Sequence, residues 1–329
     1  MTFIPPIHRS RRLRLNQQIR DLVAQNRINL NDIVYPMFIM DGANQTTSID
    51  ALVGIKRYSV DLLVKKISEL YGQGIKGFAL FPYTPNDKKD DSGTESCNES
   101  NLVNTAMRAI KKSVPDCVLF ADVALDPYTS HGHDGVTDGS GYVLNDKTVQ
   151  ILMKQAVVQA QSGADVICPS DMMDGRIGNI RNALDDAGFE NVSIMSYAAK
   201  YASNFYGPFR QAIGSTGTLK GDKKTYQMDM ANSTEALKEV GRHIDEGADI
   251  VMIKPGMPYL DVVKSVKDTF GLPTFVYQVS GEYAMIKGMI QAGHMHEDAI
   301  LESIIAFKRA GADCIFTYFA EDIIALLKI

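Results

Sequence analysis

Lys200 and Lys254 are the residues of this 329-residue chain that most directly suggest chemistry. Lys200 lies just past the apolar run Val192 to Tyr197, and Lys254 just past Asp249 to Ile253. Both runs read as strands buried on both faces. Desolvation opposes an ammonium at the inner end of such a strand, and a second ammonium nearby opposes it further, so both effects lower the pKa. A neutral amine is the species that attacks a ketone to form a Schiff base. Paired strand-end lysines therefore make carbonyl chemistry the leading reading. The same spacing also fits two lysines that each pair with an acid at their own strand end.

A second concentration of reactive types lies in DVALDPYTSHGHDGVTD, where Asp122, Asp126, His131, His133, Asp134 and Asp138 fall within seventeen residues. Hard oxygen donors without cysteine would favour Mg²⁺ over a structural zinc, with Zn²⁺ only weakly supported by the two histidines. The alternative is a turn-rich loop whose Asp and His side chains cap backbone groups. Other strand ends offer Pro169-Ser170-Asp171, Ser280-Gly281-Glu282 and Thr317-Tyr318. His294 and His296 read as loop residues.

Converging these groups needs a scaffold that brings many strand ends together. Eight short apolar or β-branched runs recur: 33–39, 75–81, 117–125, 165–168, 192–197, 249–253, 274–279 and 313–318. Amphipathic stretches that predict helices lie between them at 60–71, 102–112, 147–161, 176–187, 234–246, 259–270 and 298–308. Gly-Ala-Asp recurs at 163–165, 247–249 and 311–313, each time between a helical pattern and an apolar run. The alternation predicts an α/β fold, a single (β/α)8 TIM barrel over residues 31–329. A doubly wound sheet would want a glycine-rich phosphate turn after its first strand, and MDGANQTTS does not supply one. Residues 1–30 predict an extended N-terminal arm, too poor in apolar residues to fold alone, so Arg9 to Arg14 are expected to lie on another subunit. Residues 211–232 (QAIGSTGTLKGDKKTYQMDMAN) read as an active-site lid on the side where barrel chemistry occurs.

Composition narrows the partners. Thirty-four basic against 39 acidic residues give a net charge of −5, with 45% hydrophobic and 22% charged residues. That balance supplies no global field for nucleic acid or an anionic membrane, so neither is expected as a partner. Four widely spaced cysteines argue against a disulfide framework. No apolar run has signal-peptide or membrane-span length, and a cytoplasmic location is expected. The four arginines within residues 9–14 are also a transit-peptide feature, but Pro5, Pro6 and the lack of a Ser-rich amphipathic helix weaken that reading.

The motifs DVALDPYTSHGHDG (122–135), PSDMMDGRIG (169–178), MSYAAKYASNFYGPFR (195–210), KKTYQMDMAN (223–232), MIKPGMPYLD (252–261), YQVSGEYAMIK (277–287) and KRAGAD (308–313) carry a resemblance. Taken in order, the chain resembles the porphobilinogen synthase, or 5-aminolevulinate dehydratase, family over nearly its whole length. The resemblance implies a lyase that condenses two molecules of 5-aminolevulinate into porphobilinogen with loss of two waters, in haem biosynthesis. It implies Schiff bases at Lys254 and Lys200, for the propionate-side and acetate-side substrates respectively. Arg210 and Lys223 would clamp the propionate-side carboxylate, Ser280 and Tyr318 would bind the other, and Asp122 would assist amine recognition or proton transfer. Where many members carry three zinc-binding cysteines, this chain has Ala124, Asp126 and Asp134. No catalytic zinc is therefore expected, and Asp126 and Asp134 are either metal ligands or hydrogen-bond partners of the substrate amine. The pattern resembles the aspartate-rich, zinc-independent branch, with an allosteric Mg²⁺ at Glu239 and an octamer built from dimers; no organic cofactor is implied. Lys223 replaces a common Arg and keeps charge without bidentate geometry. Met230 replaces a common proline. Two other readings compete: a class I aldolase-like barrel with one Schiff-base lysine, and a catalytically retired barrel acting as a binding subunit.

Overall fold

The computed structural model describes residues 7–215, 217 and 219–327. Its first strand, β1 (Ile33–Ile39), is buried at every position, as a strand covered on both faces must be. A hairpin, β2 (Thr46–Ser48) and β3 (Lys56–Tyr58), follows and hangs on the end of β1. The remaining strands are β4 (Gly77–Pro82), β5 (Val118–Val123), β6 (Val166–Pro169), β7 (Ser193–Lys200), β8 (Ile250–Lys254), β9 (Thr274–Tyr277) and β10 (Cys314–Phe316). Parallel pairing runs β1, β4, β5, β6, β7, β8, β9, β10 and returns from β10 to β1, so the eight strands close into a barrel. Phe120 on β5 meets Phe316 on β10 edge to face, with centroids 5.2 Å apart. Those strands are not neighbours, so aromatic side chains fill the lumen beneath the site.

The Gly-Ala-Asp echo has one structural task, performed three times. Gly163, Gly247 and Gly311 take φ of 100°, 100° and 109° just past their helices, a conformation that costs glycine little. The aspartate two residues on then accepts a backbone N–H from the preceding barrel strand. Asp165 takes that of Leu119, Asp249 that of Ile194 and Asp313 that of Thr274, each at 2.7 Å. These clips lie at the amino ends of the strands, the stabilising face of such a barrel.

Besides a helix in the arm, three helices lie outside the expected set: Gly207–Ala212, Ser280–Gln291 and Ala320–Leu327. The second hides in sequence because two glycines interrupt it and Met285 and Met289 face outward. Gly281 is there for contact: a Cβ would stand 2.5 Å from the Phe205 carbonyl oxygen. Within the arm, a short 3-10 turn (Ser10–Arg14) and helix Gln17–Val23 form, the latter capped by Asn16, and neither contains a buried residue. All four cysteines are free. No helix among the described residues is long and apolar enough to cross a membrane.

Candidate active site

The pairing of β7 with β8 makes Lys200 and Lys254 Cα partners at the carboxyl ends of adjacent strands. Both are buried, and both face a cavity shared with Asp126, Arg210, Lys223, Ser280 and Tyr318. Their environments differ. Lys200 Nζ donates to the Ser170 carbonyl and lies 3.4 Å from Asp134 Oδ1. Lys254 Nζ makes no ion pair or hydrogen bond among the described residues. Burial first, and the Lys200 charge second, bring its amine down to about 7. At neutral pH a large share of it is in the nucleophilic form.

Asp134 is the hub of the acidic groups. Its Oδ2 lies 2.6 Å from Lys223 Nζ and accepts the Tyr226 hydroxyl at 3.0 Å. Burial alone would raise this carboxyl, but Lys200 and Lys223 hold it below the ordinary carboxylate range. Burial likewise pulls on Lys223, and Asp126 at 3.2 Å together with Asp134 outweighs it and raises the amine. Asp122 lies on β5, two strands from the β7 that carries Lys200. Burial, then the Asp126 charge, push it up to about 6, partly offset by a hydrogen bond from the Ser170 hydroxyl. The histidines of this loop serve its shape. His133 Nε2 donates to the Lys220 carbonyl at 2.7 Å and Nδ1 meets the Tyr226 hydroxyl at 3.1 Å. Asp138 accepts the Ser140 and Tyr142 N–H groups in an exposed turn. Among the described residues, no three of His, Cys, Asp or Glu converge to hold a metal.

The carboxylate binders expected from the resemblance all reach the cavity, but they group differently. Lys223 shares Asp134 with Lys200, which puts it on the Lys200 side. Tyr318 meets the Tyr277 hydroxyl at 3.0 Å, and the Tyr277 ring lies 4.6 Å from Lys254 Nζ. Ser280, three residues past the end of β9, accepts the Phe209 N–H at 3.0 Å. Ser280 and Tyr318 thus stand on the Lys254 side, where β9 flanks β8, whereas Asp134 anchors Lys223 beside β7, away from the side on which the resemblance expects it. Arg210, on helix Gly207–Ala212, lines the cavity and forms no ion pair among the described residues.

From the segment 211–232 expected as a lid, Lys223 and Gln227 line the cavity, and residues 216 and 218 lie outside the described residues. Met228 N donates to the Lys200 carbonyl at 3.0 Å, and Ala202 N to the Met228 carbonyl at 2.8 Å, stitching the lid to the end of β7. Glu239 lies on helix Thr234–Asp245, on a second cavity also lined by Asp174 and Glu235. Burial raises its carboxyl, and Arg242, 3.1 Å away, opposes the rise. The Arg242 guanidinium bridges Glu239 and Asp174, so the charge of these carboxylates is already partly met within the chain.

Sequence reasoning misses the rings. Tyr197, Tyr206, Phe209 and Tyr277 surround Lys254, and Gln227 lines the cavity. The available signal was a tyrosine near the end of each strand flanking a strand-end lysine.

A closed barrel whose mouth holds two buried amines side by side, hemmed by carboxylates, has the makings of a lysine-dependent enzyme acting on carbonyl compounds. The model of the delta-aminolevulinic acid dehydratase family matches residues 7–326. The delta-aminolevulinic acid dehydratase of Bradyrhizobium diazoefficiens is 55% identical over 313 residues, covering 95% of this chain and 88% of its own. That of Rhodobacter capsulatus is 48% identical, covering 96% and 95%. The crystal structure of delta-aminolevulinic acid dehydratase (porphobilinogen synthase) from Toxoplasma gondii, in complex with the reaction product porphobilinogen, superposes with a TM-score of 0.96 at 45% identity, covering 98% and 92%. The chain belongs to the delta-aminolevulinic acid dehydratase family.

Proposed function

We propose that the chain is a lyase that condenses two molecules of 5-aminolevulinate into porphobilinogen and two waters. The observation that carries this reading is the in-register pair Lys200 and Lys254, both buried and facing one cavity. The neutral Lys254 amine attacks the keto carbon of one substrate, and loss of water leaves a Schiff base; Lys200 captures the second keto group in the same way. Ser280 and Tyr318 bind the carboxylate of the substrate on Lys254, while Arg210 and Lys223 serve the substrate on Lys200. Asp126 and Asp134 accept the substrate amine, and Asp122 moves protons. An aldol reading with one lysine leaves the second buried amine without a task.

In regulation we assign the chain to the aspartate-rich, Mg²⁺-responsive branch, with Glu239 holding a hydrated Mg²⁺ that supplies allosteric stabilisation rather than chemistry. We assign the chain a cytoplasmic location and a homo-octamer built from dimers, and the arm supports assembly. It carries Ile7, Leu15 and Leu22 at 84%, 76% and 81% exposure, an apolar surface that a neighbouring barrel would cover. Incubation of the purified chain with 5-aminolevulinate and Mg²⁺, followed by colorimetric detection of a pyrrole, tests the activity. Pyrrole formation is expected from the native chain and not from Lys254→Ala; its absence from the native chain refutes the reading.

A further inference from the structure

Lys254 is the one buried lysine of the site whose nitrogen faces rings instead of oxygens. Lys200 has Ser170 and Asp134, and Lys223 has Asp126 and Asp134. Around Lys254 Nζ stand Tyr277 at 4.6 Å to the ring centroid, Tyr197 at 5.1 Å, and Tyr206 and Phe209 each at 5.4 Å. Each strand that flanks β8 supplies one ring, Tyr197 from β7 and Tyr277 from β9. The crossover after β7 supplies the other two, Tyr206 from the turn Asn204–Tyr206 and Phe209 from helix Gly207–Ala212. Burial holds the three phenols well above their ordinary range, so neutral rings and not phenolates face the nitrogen.

This surrounding resolves a conflict in the chemistry. The amine must be neutral to attack, yet the product of attack is a cation: the amine and the keto group take up one proton, form C=N, and release the carbonyl oxygen as water. A carboxylate at ion-pair distance would favour that cation, but it would also keep the resting amine protonated and unreactive. A ring quadrupole attracts a cation more weakly and does nothing for a neutral amine. The protonated imine, with its charge spread over nitrogen and carbon and few waters to hold it, suits aromatic faces well.

We propose that Tyr197, Tyr206, Phe209 and Tyr277 form an aromatic cage that stabilises the Schiff-base cation on Lys254. The proposal rests on the reading of Lys254 as a Schiff-base lysine. Phe209 is the member best placed for a test. It has no hydroxyl, and it arrives on the helix that leads into the lid. Its neighbours are the rings of Phe81 and Phe38, at 5.2 and 5.9 Å.

The test places mono-, di- and trifluorophenylalanine at position 209 of the full chain, because fluorine drains the ring quadrupole while scarcely changing its volume. Turnover is expected to fall stepwise along the series, reaching roughly three- to tenfold for the trifluoro ring, with thermal stability unchanged. Borohydride with 5-aminolevulinate should trap Lys254 more slowly in the same order. If the native chain gives no adduct on Lys254, the Schiff-base reading itself is wrong. If the native chain is trapped and the fluorinated chains turn over equally fast, the cage is refuted and the reading stands. A single drop at the first fluorine with no further decline marks packing and refutes the cage as well. Should the fluorinated chains fail to fold, Tyr277→Phe and Tyr277→Leu repeat the comparison. The second, which lacks the ring, is expected to lose several-fold more rate than the first, and equal rates overturn the proposal.

Discussion

Replacing Lys200 with glutamine isolates the effect of one ammonium on its neighbour. The two lysines are partners on adjacent strands, so their Cα atoms sit about 4.8 Å apart and extended side chains keep the nitrogens within roughly 5–6 Å. At an effective dielectric of about 20, two unit charges at that distance repel by roughly 3 kcal/mol, which equals about two pH units. Burial remains in the variant, so the Lys254 midpoint should climb from about 7 to roughly 9. The neutral fraction at pH 7 then falls from about one half to about one in a hundred. The assay is the initial rate of borohydride trapping on Lys254, followed by peptide mass mapping, between pH 5.5 and 10. Because the neutral amine attacks, the rate rises with pH through the midpoint and levels off above it. Lys200→Gln should be roughly fifty-fold slower than native at pH 7 and nearly equal to it at pH 10. A variant midpoint still near 7, or a native midpoint above 9, refutes the reasoning.

Asp134→Asn removes the carboxylate that Lys200 and Lys223 share, leaving Lys200 with the Ser170 carbonyl and Lys223 with Asp126; a loss of roughly 1–3 kcal/mol in denaturant unfolding is expected, and no measurable loss contradicts the pairing. Asp122 near 6 and Lys254 near 7 must both lose protons for activity, so log kcat/KM should rise with a slope of two below pH 6. Asp122→Asn should reduce that slope to one, and an unchanged slope removes Asp122 from the proton path. Glu239→Ala should abolish the rate increment given by Mg²⁺ while activity in chelator matches the native chain in chelator; a retained increment places the ion elsewhere. Deleting residues 1–14 should shrink the particle in sedimentation velocity and cut activity, and an unchanged profile counts against the arm as an assembly element.

Strand and helix periods were legible because burial on both faces leaves long apolar runs. β1 matches its expected range at both ends. β7 runs three residues past the expected Tyr197, because Ala198, Ala199 and Lys200 continue the ladder beyond a bulge after Ser196. Helix Ser280–Gln291 was not legible, since Gly281 serves a contact with Phe205 that no periodicity reports. Both lysines, the acids and the carboxylate binders are readable as strand-end or motif residues. Their grouping is not, because it depends on which loop folds back over which strand. The same holds for Arg176, which reads as an ordinary helix start. In the fold it is buried, 3.4 Å from Asp171 and hydrogen-bonded to the Tyr197 carbonyl at 3.1 Å.

The seat of Lys223 between Asp126 and Asp134 has a further consequence. Those oxygens are the ones assigned to an incoming aminoketone's ammonium, and a carboxylate already saturated by one cation has little left for another. On that proposed assignment, substrate entry is an exchange of tenants: the newcomer's nitrogen must evict Lys223. Once evicted, that lysine is free to meet the newcomer's acid end.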